Sequence, residues 1–165
     1  MRRPPSASPD RALARGTDDL QILAARPRDL AAVATLQKQA FPPRLAYTLP
    51  TLALLWAIPW VRILLAWRRG HLAGCIIGDR VLDGSRIINL AVDPNVRRQG
   101  VGTALLLSIE GELGWGDMLL MVQEENTPAR ALYQRLGYRE EAVSPHYYGM
   151  GRPGIRMRKV RTLAM

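Results

Sequence analysis

Residues 87–106, IINLAVDPNVRRQGVGTALL, place an apolar run, a basic loop and a second apolar run in direct succession. The first run predicts a strand over 87–94 that is buried on both faces. The second has apolar residues at helical spacing and predicts a helix over 100–113. Arg97 and Arg98 stand in the loop between them. This succession is typical of an α/β protein that binds an anion where a strand passes into a helix.

The loop itself has the features of a pyrophosphate site. Gly100 and Gly102 let the backbone approach a ligand closely. The first-turn amides of the following helix have no partner inside the helix, and the helix dipole adds partial positive charge there. Arg97 and Arg98 add two guanidinium groups. A glycine-capped turn with solvated arginines is the interpretation without a ligand.

Two other phosphate-binding motifs do not match this spacing. A dinucleotide fingerprint needs a glycine or alanine three residues after its second glycine, where Leu105 stands. A nucleoside-triphosphate loop needs Gly-Lys-Ser/Thr, and Gly102-Thr103 has no lysine between its members.

The composition is that of one globular domain. The chain has 165 residues, of which 48% are apolar and 22% charged. Its net charge of +9 argues for anionic partners but does not choose among nucleic acid, phospholipid and a phosphate-bearing cofactor. Cys75 is the single cysteine, which predicts a buried free thiol and a protein located in the reducing cytoplasm. His71 and His146 are too few and too far apart to predict a metal site.

The two ends of the chain differ from its middle. Residues 1–18 are rich in proline and lack a hydrophobic period, which predicts a flexible tail before a single domain over 19–165. Residues 155–161, IRMRKVR, predict a strand with one basic face. That strand is either a solvated sheet edge or a surface for an acidic or nucleic-acid partner.

One uncharged segment, residues 45–61, is a candidate for membrane insertion. It is shorter than the roughly 20 residues of a membrane-spanning helix and contains two prolines, so we expect no membrane insertion. We predict a short apolar helix over 51–58, followed by a strand. Trp56 and Trp60 are then candidates for an exposed apolar patch that meets a peptide or a partner.

The order of elements predicts an α/β fold with one mixed sheet. We expect the order β-α-α-β-β-β-α-β-α-β-β, with an Arg68-Arg69-Gly70 turn between the second and third strands. Thr127 is expected to cap the last helix and Gly137 to end it. The predicted strands cover 20–27, 61–67, 72–79, 87–94 and 118–123, with two more at the end, and the predicted helices cover 28–40, 51–58, 100–113 and 128–136.

Two blocks of this sequence resemble the GNAT acetyltransferase superfamily, whose acetyl-CoA loop reads Q/R-x-x-G-x-G/A after a strand. Arg97, Gly100 and Gly102 fill the fixed positions. The second block is ENTPARALYQRLGYRE over 125–140, and the resemblance extends from about Leu20 to Arg161. The segments NLAVDP, ALYQRLGY and HYYGMGRPGIRMRK resemble most closely the ribosomal-protein alanine N-acetyltransferases and related protein N-terminal acetyltransferases.

The resemblance implies a GNAT fold, a mixed sheet of about seven strands with helices on both faces, and acetyl-CoA as cofactor. It implies that Tyr133 protonates the departing CoA thiolate. We expect Tyr147, Tyr148 and the apolar segment around Trp56 to lie near the acceptor. The implied cofactor-binding residues are Leu90, Ala91, Val92, Arg97, Arg98, Gln99, Gly100, Val101, Gly102, Thr103, Asn126 and Tyr133.

The chain departs from the family at the residue that removes a proton from the amine. Met121 stands where the ribosomal-protein group has a catalytic glutamate, and Arg86 stands where other GNAT enzymes have one. A free α-amine, with a pKa of about 7.7–8.0, is roughly one-third neutral at pH 7.5, whereas a lysine amine, with a pKa of about 10.4, is almost entirely protonated. The missing glutamate therefore favours an α-amine acceptor.

The resulting interpretation is an acetyl-CoA-dependent N-acetyltransferase that acts by direct attack of a protein or peptide N-terminal α-amine. A ribosomal protein is one candidate acceptor. Two alternatives stay open: a GNAT enzyme that acetylates a small-molecule amine, and an acyl-CoA-binding or ribosome-associated module that has lost catalysis. We expect a cytoplasmic protein with no DNA, membrane or metal partner.

Overall fold

The computed structural model describes residues 19–114 and 116–161, in which seven strands form one mixed sheet of order β1-β2-β3-β4-β5-β7-β6. All neighbouring strands are antiparallel except β4 and β5. The strands are β1 Leu20–Ala24, β2 Val61–Arg68, β3 His71–Val81, β4 Gly84–Val92, β5 Asp117–Gln123, β6 Arg139–Ser144 and β7 Gly154–Lys159. The helices are α1 Leu30–Ala40, α2 Leu49–Ala57, α3 Val101–Leu113 and α4 Thr127–Arg135.

Helices cover both faces of the sheet, as predicted. One apolar core lies under α1 and α2, and a second lies under α3 and α4. Gly74 and Gly78 of β3 let α3 approach the sheet closely. A Cβ at Gly74 would lie 2.9 Å from the Leu105 side chain, and one at Gly78 would lie 2.9 Å from that of Leu113. This approach positions the first turn of α3 beside β4.

Several local predictions are confirmed. Arg69 and Gly70 both have positive φ in the turn between β2 and β3. Cys75 is fully buried, and burial raises the pKa of its thiol to about 12. Trp56 and Trp60 are 43% and 59% exposed.

In the part of the chain that is described, no helix is long and apolar enough to cross a bilayer.

Other predictions need correction. Asn126, not Thr127, caps α4, because its side-chain oxygen accepts the Ala129 N–H at 3.2 Å. Strand β7 is not a sheet edge but lies between β5 and β6. Its arginines have acidic partners: Arg156 pairs with Glu141, and Arg158 pairs with both Glu141 and Asp117.

Several element bounds also differ from prediction. The first helix begins at Leu30 after a 3-10 turn over Pro27–Asp29, and β1 ends at Ala24. Strand β4 begins at Gly84, because pairing with β3 extends it beyond the apolar run. Its second half is not buried on both faces, since Ile88, Asn89 and Leu90 are only half-buried. The predicted tail over 1–18 lies outside the described residues.

Candidate active site

The two parallel strands at the centre of the sheet separate partway along their length. Strand β4 pairs with β5 only from Gly84 to Ile87, opposite Asp117 to Leu120. Beyond Ile87, the β4 ladder continues with β3 alone, and β5 continues with β7. The pairing also shifts at Ile88, which is an extra residue in β4 opposite the step from Ile77 to Gly78. A wedge therefore opens beside the second half of β4.

Leu90, Ala91 and Val92 form the β4 side of this wedge. All three pair with β3, and the N–H and C=O groups of successive residues point to opposite sides of the strand. The Asp93 N–H bonds to the Ala73 carbonyl of β3, so Ala91 also faces β3, and the backbone groups of Leu90 and Val92 face the wedge. Ala91 is buried in the α1–α2 core, whereas Leu90 and Val92 pack against the α3–α4 core. The backbone at these residues can pair with an extended ligand in the way that a missing strand would.

The predicted anion loop lies at the open end of the wedge. Arg98 and Gly100 have φ of +62° and +83°, and α3 begins immediately afterwards. Residues 97–100 are exposed, and a Cβ at Gly100 would meet no atom within 4 Å. The first helical bond joins the Ala104 N–H to the Gly100 carbonyl at 3.0 Å, which leaves the N–H groups of residues 101–103 without intrahelical partners.

Contacts from distant elements hold this loop. Arg68 of β2 donates to the Gln99 side-chain oxygen at 2.7 Å and to the Gln99 carbonyl at 3.4 Å. Arg97 donates to the carbonyl of Ala40, at the end of α1, at 3.4 Å. Gln99 therefore helps to fix the loop, and Arg98 is left exposed. Arg68 could not be predicted from the sequence, because its role depends on a partner 31 residues away.

The first three residues of α3, all predicted to bind the cofactor, differ in which of their groups a ligand could contact. Val101 is buried, so only its backbone amide can serve a ligand. Gly102 allows close packing, since a Cβ there would lie 3.2 Å from the Leu132 side chain of α4. Thr103 is half-buried at the same turn. The loop residues are thus brought together as predicted, and their contact with a cofactor stays a prediction.

Tyr133 is buried on α4, with its ring centroid 5.8 Å from that of Tyr138. The Tyr138 hydroxyl donates to Glu110 at 2.8 Å, and Lys159 binds the second Glu110 oxygen at 2.6 Å. Within residues 19–114 and 116–161, the Tyr133 hydroxyl has no hydrogen-bond partner of its own. Burial, and secondarily Tyr148, raise the pKa of Tyr133 above its usual value of 10. This phenol is therefore protonated at neutral pH and free to donate to a ligand.

Of the residues predicted near the acceptor, Tyr147 and Tyr148 lie in the loop between β6 and β7, whereas Trp56 lies on α2 and donates to the Ala25 carbonyl at 2.9 Å. The Tyr148 hydroxyl donates to the Met121 carbonyl at 3.0 Å, and the Tyr147 and Tyr148 rings meet edge to face at 4.9 Å. His146 accepts the Gly151 N–H at 2.9 Å, which fixes the loop. Burial, then Tyr147 and Tyr47, raise the pKa of Tyr148 to about 12. Tyr148 is therefore not a base suited to neutral pH.

The structure adds Tyr47, which the sequence analysis did not single out. It lies in the segment between α1 and α2, and burial followed by Tyr147 raises its pKa while Arg86 lowers it. Tyr47 and Tyr147 thus come near each other from segments 100 positions apart in the chain. No local sequence signal could have shown this proximity.

Arg86, at one usual glutamate position, has a partner in the neighbouring strand. It binds Asp79 of β3 through two contacts, Nη2 to Oδ2 at 2.6 Å and Nε to Oδ1 at 3.1 Å. This bonding raises the pKa of Arg86 further. The buried Asp79 carboxylate is occupied by this pair, so it does not supply the missing base. Of the described residues, no group of three or more His, Cys, Asp or Glu could hold a metal ion.

A buried amide pair joins α1 to the wedge. Gln37 is fully buried, and its Nε2 donates to Asn89 Oδ1 at 2.7 Å. Its Oε1 accepts from Asn89 Nδ2 at 3.3 Å and from the Tyr47 N–H at 3.4 Å. Gln37 therefore ties Tyr47 to β4 beside the irregular pairing. The one sequence signal for this was a glutamine at an inward position of an amphipathic helix.

Replacing Gln37 by leucine is expected to lower the free energy of unfolding by about 1–3 kcal/mol, because the Asn89 amide loses its partner. Denaturant unfolding measures this, and Gln39→Leu on the exposed face of α1 is the control. Changing Asn89 to leucine as well is expected to restore part of the loss. Equal stability of Gln37→Leu and the wild-type chain would contradict the role of this pair.

Comparison with known proteins agrees with this architecture. Residues 59–140 match the family model described as acetyltransferase (GNAT) domain. An uncharacterised N-acetyltransferase of Methanocaldococcus jannaschii is 32% identical over 136 residues, which cover 80% of this chain and 86% of the relative. This chain belongs to the GNAT acetyltransferase family.

Among its GNAT relatives, the ribosomal protein bS18-alanine N-acetyltransferase of Escherichia coli is 39% identical over 84 residues. That alignment covers 49% of this chain, and it spans 57% of the relative's own length. The crystal structure of the ribosomal-protein-S18-alanine N-acetyltransferase from E. coli superimposes with a TM-score of 0.77 at 29% identity, covering 88% of this chain and 96% of the other. The GNAT fold expected from the sequence is confirmed.

Proposed function

We propose that this GNAT protein is an acetyl-CoA-dependent N-acetyltransferase whose acceptor is the N-terminal α-amine of a protein or peptide. Three observations support the proposal: β4 and β5 separate, an exposed loop precedes α3, and α4, which carries the buried Tyr133, packs against Gly102 at the start of α3. An acetyl donor with a long arm and a diphosphate needs an extended backbone edge and an anion site, and the chain has both.

The residues fit acetyl-CoA, which GNAT acetyltransferases use. The open space at Gly100 leaves room for a diphosphate against the first-turn amides of α3. Arg97 and Arg98 add positive charge, and the free backbone edge of Leu90–Val92 can pair with the pantetheine arm. Asn126 uses its side-chain oxygen to cap α4, so its side-chain N–H₂ is what remains for the cofactor. When bound, acetyl-CoA supplies an acetyl thioester.

The protein's own residues then position the reactants and move protons. The amine and the thioester are held in the wedge, which makes a bimolecular step local. Tyr133 is protonated and donates to the departing sulfur, whose thiol has an ordinary pKa near 8.5. No carboxylate of the usual kind is available for the amine, because Met121 replaces one glutamate and Arg86, bound to Asp79, replaces the other. The amine proton therefore leaves through water.

This arrangement favours α-amines over lysine side chains. At pH 7.5 about a third of a free α-amine is already neutral, so its deprotonation costs under ~1 kcal/mol. A lysine amine near pKa 10.4 costs roughly 4 kcal/mol. The aromatic side chains Tyr47, Tyr147 and Tyr148 offer a surface for a peptide beside the opening. Because the E. coli relative is named as a ribosomal protein bS18-alanine N-acetyltransferase, the N-terminus of a ribosomal protein such as bS18 is one candidate acceptor. The enzyme would then act in the cytoplasm.

Replacing Met121 by glutamate is expected to raise the rate of acetyl transfer to an α-amine peptide about 10-fold near pH 7. A general base typically contributes about 10²–10⁴-fold, and an α-amine gains only part of this because it is already partly neutral. Met121→Gln is the control of similar size without the charge. The rate of acetyl-CoA consumption with a panel of peptides is measured for both variants. No turnover by the wild-type chain or either variant on any amine would favour a cofactor-binding module without catalysis.

A further inference from the structure

A small cavity of about 60 Å³ lies where β5 ends and β7 begins. It is lined by Gln123, Glu124, Glu125, Gly151, Arg152 and Pro153. Its volume is that of about two water molecules, which is also enough for one carboxylate group. None of these six residues is among those proposed to hold the cofactor or to act in catalysis.

Two buried donors at this cavity have no partner. Gln123 Nε2 and Arg152 Nη1 are both shielded from solvent, and neither forms a hydrogen bond within the described part of the chain. Leaving such a donor unsatisfied costs about 1–3 kcal/mol, and more for a charged group. Buried polar groups in native proteins are nearly always paired with protein, water or ligand. Both donors belong to residues that line one cavity, so this cavity is a candidate site for an oxygen ligand.

Among the described residues that line the cavity, Arg152 is the single cation and favours an anionic oxygen, whereas the two glutamates of the lining, Glu124 and Glu125, are exposed to solvent. The nearest acidic partner of Arg152 is Glu125, at 3.7 Å from Nη2, and the Glu125 side chain is 75% exposed. Such a loose, solvated pair contributes little, so most of the guanidinium charge is available. A carboxylate can accept from Arg152 and Gln123 at the same time, and charge-assisted bonds of this kind are roughly twice as strong as neutral ones.

The cavity lies close to the acceptor residues. The Arg152 carbonyl accepts the Tyr148 N–H at 3.1 Å, and the Tyr148 hydroxyl in turn binds the Met121 carbonyl. Gln123 follows Met121 by two residues in β5, so the two side chains share a face and lie roughly 7 Å apart along the strand. That distance is about two residues of an extended peptide.

We infer that the acceptor carries a carboxylate within a few residues of its reactive amine, and that Arg152 and Gln123 bind this carboxylate. The inference rests on the proposed function and specifies its acceptor as an acidic N-terminal peptide. The carboxylate comes either from an Asp or Glu side chain or from the C-terminus of a very short acceptor. Both sources have the same chemistry and are separated by the experiment.

The test compares acetylation of peptides that differ in one charge. Hexapeptide amides with Glu or Gln at position two or three test whether a side-chain carboxylate is bound. Tripeptides with a free or an amidated C-terminus test whether the terminal carboxylate is bound. We expect kcat/KM at least about 10-fold higher for one carboxylate form than for its neutral match. Arg152→Gln and Gln123→Leu are each expected to reduce that ratio towards one, and Glu125→Gln is expected to increase it.

Arg156→Gln is the matched control, because it removes the same charge four residues away, from the β7 residue that pairs with Met121. We expect it to keep both the activity and the charge preference. An equal loss of preference in Arg156→Gln and Arg152→Gln would overturn the inference, since it would mean diffuse attraction. Thermal melting shows whether each variant folds.

Binding of the same peptides to the CoA-loaded protein separates the two proposals. Acetylation of all peptides with equal kcat/KM would overturn the carboxylate site and leave the acetyltransferase proposal standing. Selective binding of carboxylate peptides without turnover would support the site and remove catalysis. Equal or undetectable binding of acidic and neutral peptides, together with no turnover, would overturn the inference.

Discussion

Replacing Tyr133 by phenylalanine is expected to lower the rate of acetyl transfer to an α-amine peptide about 10²-fold. The lost hydroxyl is the proton donor for the thiolate, and positioned acids of this kind typically contribute 10²–10⁴-fold. The phenyl ring keeps its packing against Tyr138, and the hydroxyl has no partner within the described residues, so stability and acetyl-CoA affinity should barely change. Single-turnover kinetics measure the step itself, since product release can limit kcat.

Tyr138→Phe is the matched control for this variant. It removes a buried hydroxyl from the neighbouring ring, and that hydroxyl is bonded to Glu110 at 2.8 Å. We expect a lower melting temperature, from a loss of about 1–2 kcal/mol, with the transfer rate nearly unchanged. The two variants should therefore separate catalysis from stability. An unchanged single-turnover rate in Tyr133→Phe would remove Tyr133 from the mechanism.

Replacing Gly100 by aspartate is expected to weaken acetyl-CoA binding by about 10²-fold or more. The φ of +83° at Gly100 is one that Asn and Asp adopt more readily than other side chains, and a Cβ there meets no atom within 4 Å. The added carboxylate would face the diphosphate, and two unit charges at 4 Å repel by about 4 kcal/mol at an effective dielectric of 20. Gly100→Asn has nearly the same shape and backbone strain without the charge.

Titration calorimetry of both variants isolates the electrostatic part. The asparagine variant should bind acetyl-CoA within about 10-fold of the wild-type chain, and the aspartate variant should recover part of its loss at high salt. Equal affinities for the Asp and Asn variants would mean that no phosphate lies at this turn.

Some of this site is visible in the sequence because it is local. The anion loop depends on a strand, two arginines, two glycines and a helix that follow one another within twenty residues. The cap of α4 is also local, and there the prediction chose Thr127 when the neighbouring Asn126 makes the bond. Such errors are small, because Thr and Asn are similar caps one position apart.

The rest depends on pairing between distant segments. Strands β4 and β5 separate because β5 continues with β7, a strand more than thirty residues further along the chain. The pair of Gln37 with Asn89 spans 52 residues, and the Arg86–Asp79 pair depends on the β3–β4 register. The sequence therefore shows an arginine at position 86, but not the ion pair with Asp79 that holds its side chain.

The most direct test of the account is a calorimetric titration of the chain with acetyl-CoA and with acetyl-pantetheine, which has the same thioester and arm but no diphosphate. If the N–H groups at the start of α3 bind the diphosphate, acetyl-CoA should bind with one-to-one stoichiometry and acetyl-pantetheine at least about 10²-fold more weakly, since bonds to charged groups contribute about 1.5–3 kcal/mol each. Equal affinity for the two ligands, or no binding of acetyl-CoA, would contradict the account.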